Sequence, residues 1–291
     1  MSKLADILIA DAGGTSTQWC LVTPEGAVRQ SLTGAPINAA VHSDSQIADA
    51  LSEISGMLQV TQRVCFYGAG CSNHTDCQRV VTQLENAGFI GEAEVYTDMM
   101  GAARALFGDN PGIACILGTG ANSCLYDGRE IVENIPPLGY ILGDEGGGAA
   151  IGKRFLKALI RRELPPDLTD RFFTEPGNSV ASVYENVYRR PVANKYLASL
   201  TRYVYENLGE ACMRQLVTDE FTLFLSTVVS RYSRATELPV SFIGSVAYYF
   251  ADILKECAAT QGLTVGQILR DPMEGLIRYH SRSSKLENNF N

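Results

Sequence analysis

Two glycine-rich stretches of the chain contain the residue types that bind phosphate. The first, IADAGGTSTQWCLVTPEG, spans residues 9–26, and the second, IACILGTGANSCLYDGREIV, spans residues 113–132. Each has an apolar strand, a turn of glycine and threonine, and a second apolar strand. Glycine permits positive φ and close approach of a phosphate, and successive N–H groups of a turn form an anion-binding concavity. We therefore expect phosphate-binding turns at Gly13–Thr17 and Gly118–Ser123.

The two turns differ from the common phosphate motifs. The sequence has no G-x-x-x-x-G-K-[ST] motif, and Asp11–Thr15 lacks the spacing of G-x-G-x-x-G. The segment after Thr15 has the pattern of a strand, so a hairpin turn replaces the helix N-terminus as the phosphate ligand. Asp11 is expected nearby as an outer ligand of Mg²⁺ through water, because Mg²⁺ keeps several waters and needs few carboxylates.

Apolar periodicity places these turns in an α/β fold. Strands and helices alternate along the first third of the chain, which favours parallel strands covered by helices. A helix that follows the capping candidate Ser43 has apolar positions Ile47, Leu51, Ile54 and Leu58. The other elements are predicted as strands at about 5–10, 17–23, 27–32, 64–70 and 93–98 and helices at about 76–87 and 99–108.

The second glycine-rich stretch repeats the pattern of the first after about 105 residues. We therefore predict two related α/β domains, 1–112 and 113–291, that face each other across a cleft. Ligands of open α/β sheets bind in crevices at the carboxyl ends of strands. The second domain is expected to contain a helical insertion at about 150–235, after which a strand returns at 238–245.

Composition excludes several classes of function. Of 291 residues, 46% are hydrophobic and 19% charged, which is typical of a globular chain. A net charge of −8 opposes binding to nucleic acid or to anionic membranes, which requires clustered Lys and Arg. The N-terminal apolar run is short and interrupted by Asp11, so we expect no signal peptide or membrane span and a cytoplasmic protein. The sequence leaves the oligomeric state open and is compatible with a homodimer.

Three motifs together resemble a known superfamily. DAGGTST, GTGANS and FIGSVA, in this order, are similar to the phosphate-1, phosphate-2 and adenosine motifs of the actin, Hsp70 and sugar-kinase superfamily over nearly the whole chain. The stretch GYILGDEGGGAAIG further resembles the N-acetylglucosamine kinase and BadF/BadG/BcrA/BcrD ATPase family. The resemblance implies two actin-like (ribonuclease H-like) domains with a central cleft, and ATP with Mg²⁺ as cofactors.

The resemblance also assigns nucleotide contacts. Gly275, in DPMEGLIRYH, is interpreted either as a backbone contact to nucleotide or as an ordinary packing glycine. The positions that match the nucleotide motifs are Asp11, Gly13, Gly14, Thr15, Thr17, Thr119, Gly120, Asn122, Gly244, Ser245 and Gly275.

Asp98, in VYTDMMGAARAL, occupies the position at which similar kinases have their catalytic base. A carboxylate there can accept a sugar hydroxyl's proton during phosphoryl transfer, although aspartate is also favoured as a helix N-cap. The sugar contacts implied by the resemblance are Asn38, Asp98, Gly139, Asp144 and Glu145. The alternatives are a turn role for Asn38 and helix-start electrostatics for Asp144 and Glu145.

These features predict an ATP-dependent kinase for a small amino sugar, an N-acetylhexosamine. N-acetylglucosamine, phosphorylated at the 6-hydroxyl, is the preferred acceptor, but residues 135–140 depart from the family pattern that touches sugar. One alternative is a BadF-type ATPase that activates an iron–sulfur enzyme, and another is a non-catalytic sensor of nucleotide or sugar. Cys71, His74 and Cys77 provide only three metal ligands, and structural zinc normally needs four.

Overall fold

The computed structural model of the protein describes residues 6–287, with side chains described from 6 to 281. The chain forms two compact units. The first comprises residues 6–110, 128–130 and 271–287, and the second comprises 111–127 and 131–270. The division into domains 1–112 and 113–291 stays a prediction. Residues 271–287 follow the second unit in sequence but belong to the first compact unit.

The first unit is built on a five-stranded mixed sheet with the order β3-β2-β1-β4-β5. β1 pairs antiparallel with β2 and parallel with β4, and β5 pairs parallel with β4. The carboxyl ends of β1, β4 and β5 therefore meet at one edge of the sheet. The strands are β1 (Asp6–Ala12), β2 (Thr17–Val22), β3 (Val28–Gly34), β4 (Thr61–Gly68) and β5 (Glu92–Thr97).

Local sequence explains the helices of this unit. Ser43 forms a capping box with Gln46 at the start of α1, as expected for a serine followed by glutamine three residues later. The periodic run from Ile47 to Leu58 predicted one helix but forms two helices, of which the first ends at Ser52. The helices are α1 (Asp44–Ser52), α2 (Ser55–Leu58), α3 (His74–Asn86) and α4 (Asp98–Phe107).

The second unit repeats the topology of the first. Its sheet has the order β10-β9-β6-β7-β8, in which β6 pairs antiparallel with β7 and parallel with β9. The repetition confirms the predicted pair of related α/β units, and its hairpin β6–β7 contains the second glycine turn. The strands are β6 (Gly112–Leu117), β7 (Ala121–Tyr126), β8 (Ile131–Glu133), β9 (Val240–Ile243) and β10 (Val265–Leu269).

The expected helical insertion lies between β8 and β9. Aromatic side chains of three of its helices, Phe155, Phe172 and Tyr203, pack together with ring centroids 5.2–5.4 Å apart. The helices of the insertion are α5 (Gly139–Leu142), α6 (Gly148–Ile160), α7 (Pro166–Thr174), α8 (Val180–Tyr188), α9 (Ala193–Ser199), α10 (Thr201–Glu206) and α11 (Ala211–Thr227). After β9 come α12 (Ser245–Tyr249), α13 (Ala251–Thr260) and α14 (Met273–Glu287).

Helix α14 packs against α4 in the first unit. Gly275 makes the approach possible, because a Cβ at this position would overlap the backbone carbonyl of Ala105. One turn further on, His280 is buried, and its Nε2 lies 2.9 Å from the hydroxyl of Tyr67 on β4. Within residues 6–287, every helix is too short or too polar to cross a bilayer.

Candidate functional site

The carboxyl edge of the first sheet brings together carboxylates that are far apart in sequence. In the register of β1, β4 and β5, Ala12 lies opposite Gly68 and Gly68 opposite Thr97, so Asp11 and Asp98 lie at neighbouring levels. Asp271, which precedes α14, is close enough to act on Asp11 as well. Burial and the negative charges of Asp98 and Asp271 raise the pKa of Asp11 to about 7.

Asp98 is the first residue of α4, and Thr97 is its N-cap, since the Thr97 Oγ1 accepts the N–H of Met100 at 3.0 Å. The N-cap alternative for Asp98 is therefore wrong. The Asp98 carboxylate accepts the N–H of Met99 at 2.9 Å. Burial raises the pKa of Asp98, and the N–H of Met99 opposes that shift. A buried carboxylate with a raised pKa is a stronger base toward a bound hydroxyl than an exposed aspartate.

Asn38 lies in the loop after β3, in the same unit. Its Oδ1 accepts the N–H of Ala40 at 3.0 Å, and within residues 6–281 its Nδ2 donates no hydrogen bond. Gly70, with φ +85, packs so closely that a Cβ there would overlap the Asn38 side chain. The adjacent Cys71 lies within electrostatic range of Asp98. Asn38 therefore has a free amide donor on the same side of the unit as Asp98.

The phosphate turn of the first unit is a tight hairpin. Gly13 donates its N–H to the carbonyl of Ser16 at 3.0 Å, and in the described chain the N–H of Thr15 has no backbone partner. Gly14 and Thr15 are solvent-exposed, and no atom outside the turn lies within 4 Å of a Cβ built on Gly14. Thr17 is buried, and its Oγ1 accepts the N–H of Ile37 at 3.0 Å, which holds the loop that contains Asn38.

The turn of the second unit is supported by the start of α6. The N–H groups of Gly148 and Ala149 donate to the carbonyls of Gly118 and Thr119 at 2.8 and 2.9 Å. Among the described residues, the N–H groups of Thr119 and Gly120 have no hydrogen-bond partner. Two free amides at a turn whose carbonyls are already bonded fit the donor set that a phosphate needs.

The Asp144 side chain lies against that turn. Its carboxylate accepts the backbone N–H groups of Ala121 and Gly139, and a Cβ at Gly120 would overlap its Oδ2. Burial raises the pKa of Asp144, and these two N–H groups oppose the shift. Asp144 has φ 59, a left-handed conformation that is uncommon for a residue with a Cβ and is often found at functional sites. Helix α6 begins at Gly148, four residues after Asp144, so the sugar contact and the helix-start alternative both stay predictions.

The adenosine motif lies at the carboxyl end of β9. Gly244 has φ +123, and a Cβ there would overlap the carbonyl of Leu117. Ser245 begins α12 and lines a cavity of about 400 Å³ together with Tyr205 and Tyr249, both partly exposed. An aromatic cavity beside a glycine turn is suited to a planar base.

Sequence reasoning identified Asp11, Asp98 and Asp144 but missed Asp271 and Gly70. Asp271 has a weak signal, because it precedes Pro272 in the same DPMEG stretch that contains Gly275. The soft-ligand cluster has no metal geometry: Cys71 is buried in the core, and Cys77 Sγ donates to the Cys71 carbonyl at 3.5 Å.

A magnesium ion at Asp11 fits the chemistry of the first unit. After burial, the negative charges of Asp98 and Asp271 contribute to the raised pKa of Asp11, and a divalent cation would offset those charges. Across residues 6–281, however, no three His, Cys, Asp or Glu side chains converge closely enough to ligate a metal directly. The donor set therefore suits a cation that keeps most of its waters, as Mg²⁺ does.

Comparison with known proteins agrees with the fold and identifies the family. Residues 10–210 match the model of the BadF/BadG/BcrA/BcrD ATPase family. An N-acetylmuramic acid/N-acetylglucosamine kinase of Clostridium acetobutylicum is 26% identical over 67% of this chain and 68% of its own. The crystal structure of a candidate N-acetylglucosamine kinase from Porphyromonas gingivalis is 40% identical, with a TM-score of 0.88 over 95% of this chain and 99% of that one.

More distant structures share the fold. A ROK family glucokinase from Streptomyces griseus, solved with glucose and AMPPNP, has a TM-score of 0.62 at 13% identity over 97% of this chain and 100% of that one. The repeated mixed sheets and these structural matches define a protein of the sugar-kinase and actin-like ATPase fold. Within that class, the chain belongs to the BadF/BadG/BcrA/BcrD ATPase family.

Proposed function

We propose that the chain is an ATP-dependent carbohydrate kinase that phosphorylates an N-acetylhexosamine, with N-acetylglucosamine phosphorylated at its 6-hydroxyl. The observation that carries the proposal is the partly buried Asp98 carboxylate at the sheet edge, near Asp11 and on the same side as the free Asn38 amide. Membership of the ATPase family and the names of the two kinase relatives support it.

Asp98 has the properties of a general base. Its raised pKa favours acceptance of a proton from the primary hydroxyl, and its position at the first turn of α4 fixes the carboxylate in one direction. The hydrogen bond from Met99 orients one oxygen, which leaves the other oxygen to take the proton. Asp98 would thus align the hydroxyl for in-line attack on the transferred phosphoryl group.

Asn38, Gly139, Asp144 and Glu145 are proposed as further acceptor ligands. The Asn38 amide can donate to a sugar oxygen, because its Oδ1 is already used by Ala40. Asp144 would accept hydrogen bonds from sugar hydroxyls, and its left-handed backbone and two backbone donors hold the carboxylate in place.

The glycine turns are proposed as the phosphate ligands. When bound, Mg-ATP supplies the phosphoryl group and neutralises part of its charge. The free amides of Thr15, Thr119 and Gly120 would stabilise phosphate oxygens, while Asp11 would hold the hydrated cation. Gly13, Gly14, Asn122, Gly244, Ser245 and the buried Thr17 remain proposed contacts of the nucleotide, and Gly275 acts at least as a packing glycine.

An acceptor panel tests the proposal. ADP release is measured with glucosamine, N-acetylglucosamine, N-acetylmuramate and glucose, and the phosphorylated position is assigned by NMR. We expect sugar-dependent ADP formation, fastest with an N-acetylated sugar, and a 6-phosphate product. Absence of turnover with every acceptor, despite nucleotide binding, would favour the sensor alternative. A brown, oxygen-sensitive protein would favour the activator of an iron–sulfur enzyme.

A further inference from the structure

The second unit contains a cavity of about 180 Å³, which we call the Asp144 pocket. One of its lining residues is Arg231, whose positive charge has no counterpart on a neutral sugar. Its walls come from the β7 strand, from the segment after β8, and from the end of α11. The residues that matter here are Asn122, Pro136, Leu138, Asp144, Glu145 and Arg231. The pocket therefore combines the carboxylates proposed to bind sugar hydroxyls with one guanidinium.

The backbone at Arg231 is firmly held. Arg231 ends a 3-10 turn, Val229–Arg231, between two buried side chains, Val229 and Tyr232. The Tyr232 hydroxyl accepts the N–H of Ile135 at 3.2 Å and lies 2.8 Å from the Oγ of Ser123. Ile135 and Ser123 both line the Asp144 pocket, so these hydrogen bonds of Tyr232 tie the backbone next to Arg231 to two pocket walls, while the Arg231 side chain itself is exposed to solvent.

The Arg231 side chain has no partner. Within residues 6–281 it forms no ion pair, hydrogen bond or cation–π contact. Its neighbours in the same region are paired: Arg234 with Glu237 at 3.0 Å, and Arg154 with Glu220 at 2.6 Å. The carboxylate of Asp144 is already bound by two backbone N–H groups. The pocket thus presents a fork of N–H donors suited to a planar anion, and no described residue uses it.

We infer that Arg231 recognises a carboxylate on the acceptor, so that the preferred substrates are N-acetylhexosamines with a carboxylated substituent. The inference rests on the proposed function and narrows its substrate class. A neutral hexosamine can satisfy Asp144 but leaves the guanidinium unpaired, whereas a carboxylate matches its bidentate geometry. The name of the Clostridium relative includes an acidic and a neutral acceptor, N-acetylmuramic acid and N-acetylglucosamine, which provide a matched pair of probes.

The experiment compares kcat/KM for N-acetylmuramate and N-acetylglucosamine in the wild type, in Arg231→Gln and in Arg231→Lys. Arg234→Gln, three residues away and outside the pocket, is the control. We expect Arg231→Gln to lower the ratio of acidic to neutral acceptor by about 10- to 100-fold, as for loss of a charged hydrogen bond. Arg231→Lys should keep part of the preference, because lysine retains the charge without the fork. Arg234→Gln should keep the wild-type ratio.

Two results would overturn the inference alone. One is an active Arg231→Gln variant whose ratio of kcat/KM for N-acetylmuramate to kcat/KM for N-acetylglucosamine equals that of the wild type. The other is a wild-type enzyme that phosphorylates N-acetylglucosamine but not N-acetylmuramate. Absence of turnover with any amino sugar in the wild type is a different result, because it overturns the proposed function and the inference with it.

Discussion

The buried His280 makes the stability of the fold depend on pH in a way that can be calculated. The side chain is 1% exposed and lies against the hydroxyl of Tyr67 and the thiol of Cys65. Burial lowers the pKa of His280 from 6.5 to about 3, with a further contribution from the nearby cations Arg63 and Arg104. The folded protein therefore keeps this imidazole neutral at pH values at which the unfolded chain protonates it.

The direction and magnitude of this pH effect on the free energy of unfolding follow from proton linkage. Between about pH 6.5 and pH 3 the unfolded state binds one more proton at this site than the folded state, so stability falls as pH falls. Going from pH 8 to pH 5, the cost from His280 alone is about 2 kcal/mol. That figure depends mainly on the unfolded pKa, because the folded value lies well below pH 5.

The assay is urea unfolding of the wild type and of His280→Gln at pH 8 and pH 5. Glutamine can keep a hydrogen bond to the Tyr67 hydroxyl but does not titrate. The difference between the two proteins at pH 8 gives the pH-independent cost of the substitution. We expect the wild type to lose about 2 kcal/mol more than the variant between the two pH values. Equal losses in both proteins would refute a neutral buried His280.

Three further substitutions test single positions. Gly275→Ala should lower the free energy of unfolding by about 2 kcal/mol or more, because the added Cβ overlaps the Ala105 carbonyl. A changed KM for ATP without loss of stability would contradict the packing role. Asn38→Ala should raise KM for the sugar about tenfold with little change in KM for ATP, as measured by steady-state kinetics. A raised KM for ATP with an unchanged KM for the sugar would show that Asn38 is not part of the acceptor site. Gly120→Ala should lower kcat/KM about 100-fold, because the added Cβ displaces the Asp144 carboxylate. Near wild-type kinetics would show that activity does not depend on the position of this carboxylate.

Much of the fold could be predicted from local sequence. Alternating apolar residues around the two glycine turns specify hairpins, and the repeated pattern specifies two similar sheets. The helix periodicity and the Ser43 cap also act over short range, as does the start of α6 after the glycines that follow Glu145.

What could not be predicted depends on contacts between distant parts of the chain. Asp271 and Asp11 are 260 residues apart, and nothing in the DPMEG stretch indicates that α14 packs on α4 in the first unit. Helical periodicity shows which face is apolar but not which partner covers it. Likewise, Arg231 lines the same pocket as Ser123 and Ile135, which are about 100 residues earlier in the chain and are bonded to the neighbouring Tyr232.

The most direct test of the central claim is phosphoryl transfer by Asp98→Asn. The substitution removes the base and leaves the Thr97 cap of α4 in place. Sugar-dependent ADP formation and ATP affinity are measured on the same preparation, with N-acetylglucosamine and N-acetylmuramate as acceptors. We predict that kcat falls by at least about 100-fold while the ATP dissociation constant stays within about twofold. A variant that phosphorylates sugar at close to the wild-type rate would contradict the assignment of Asp98 as the base.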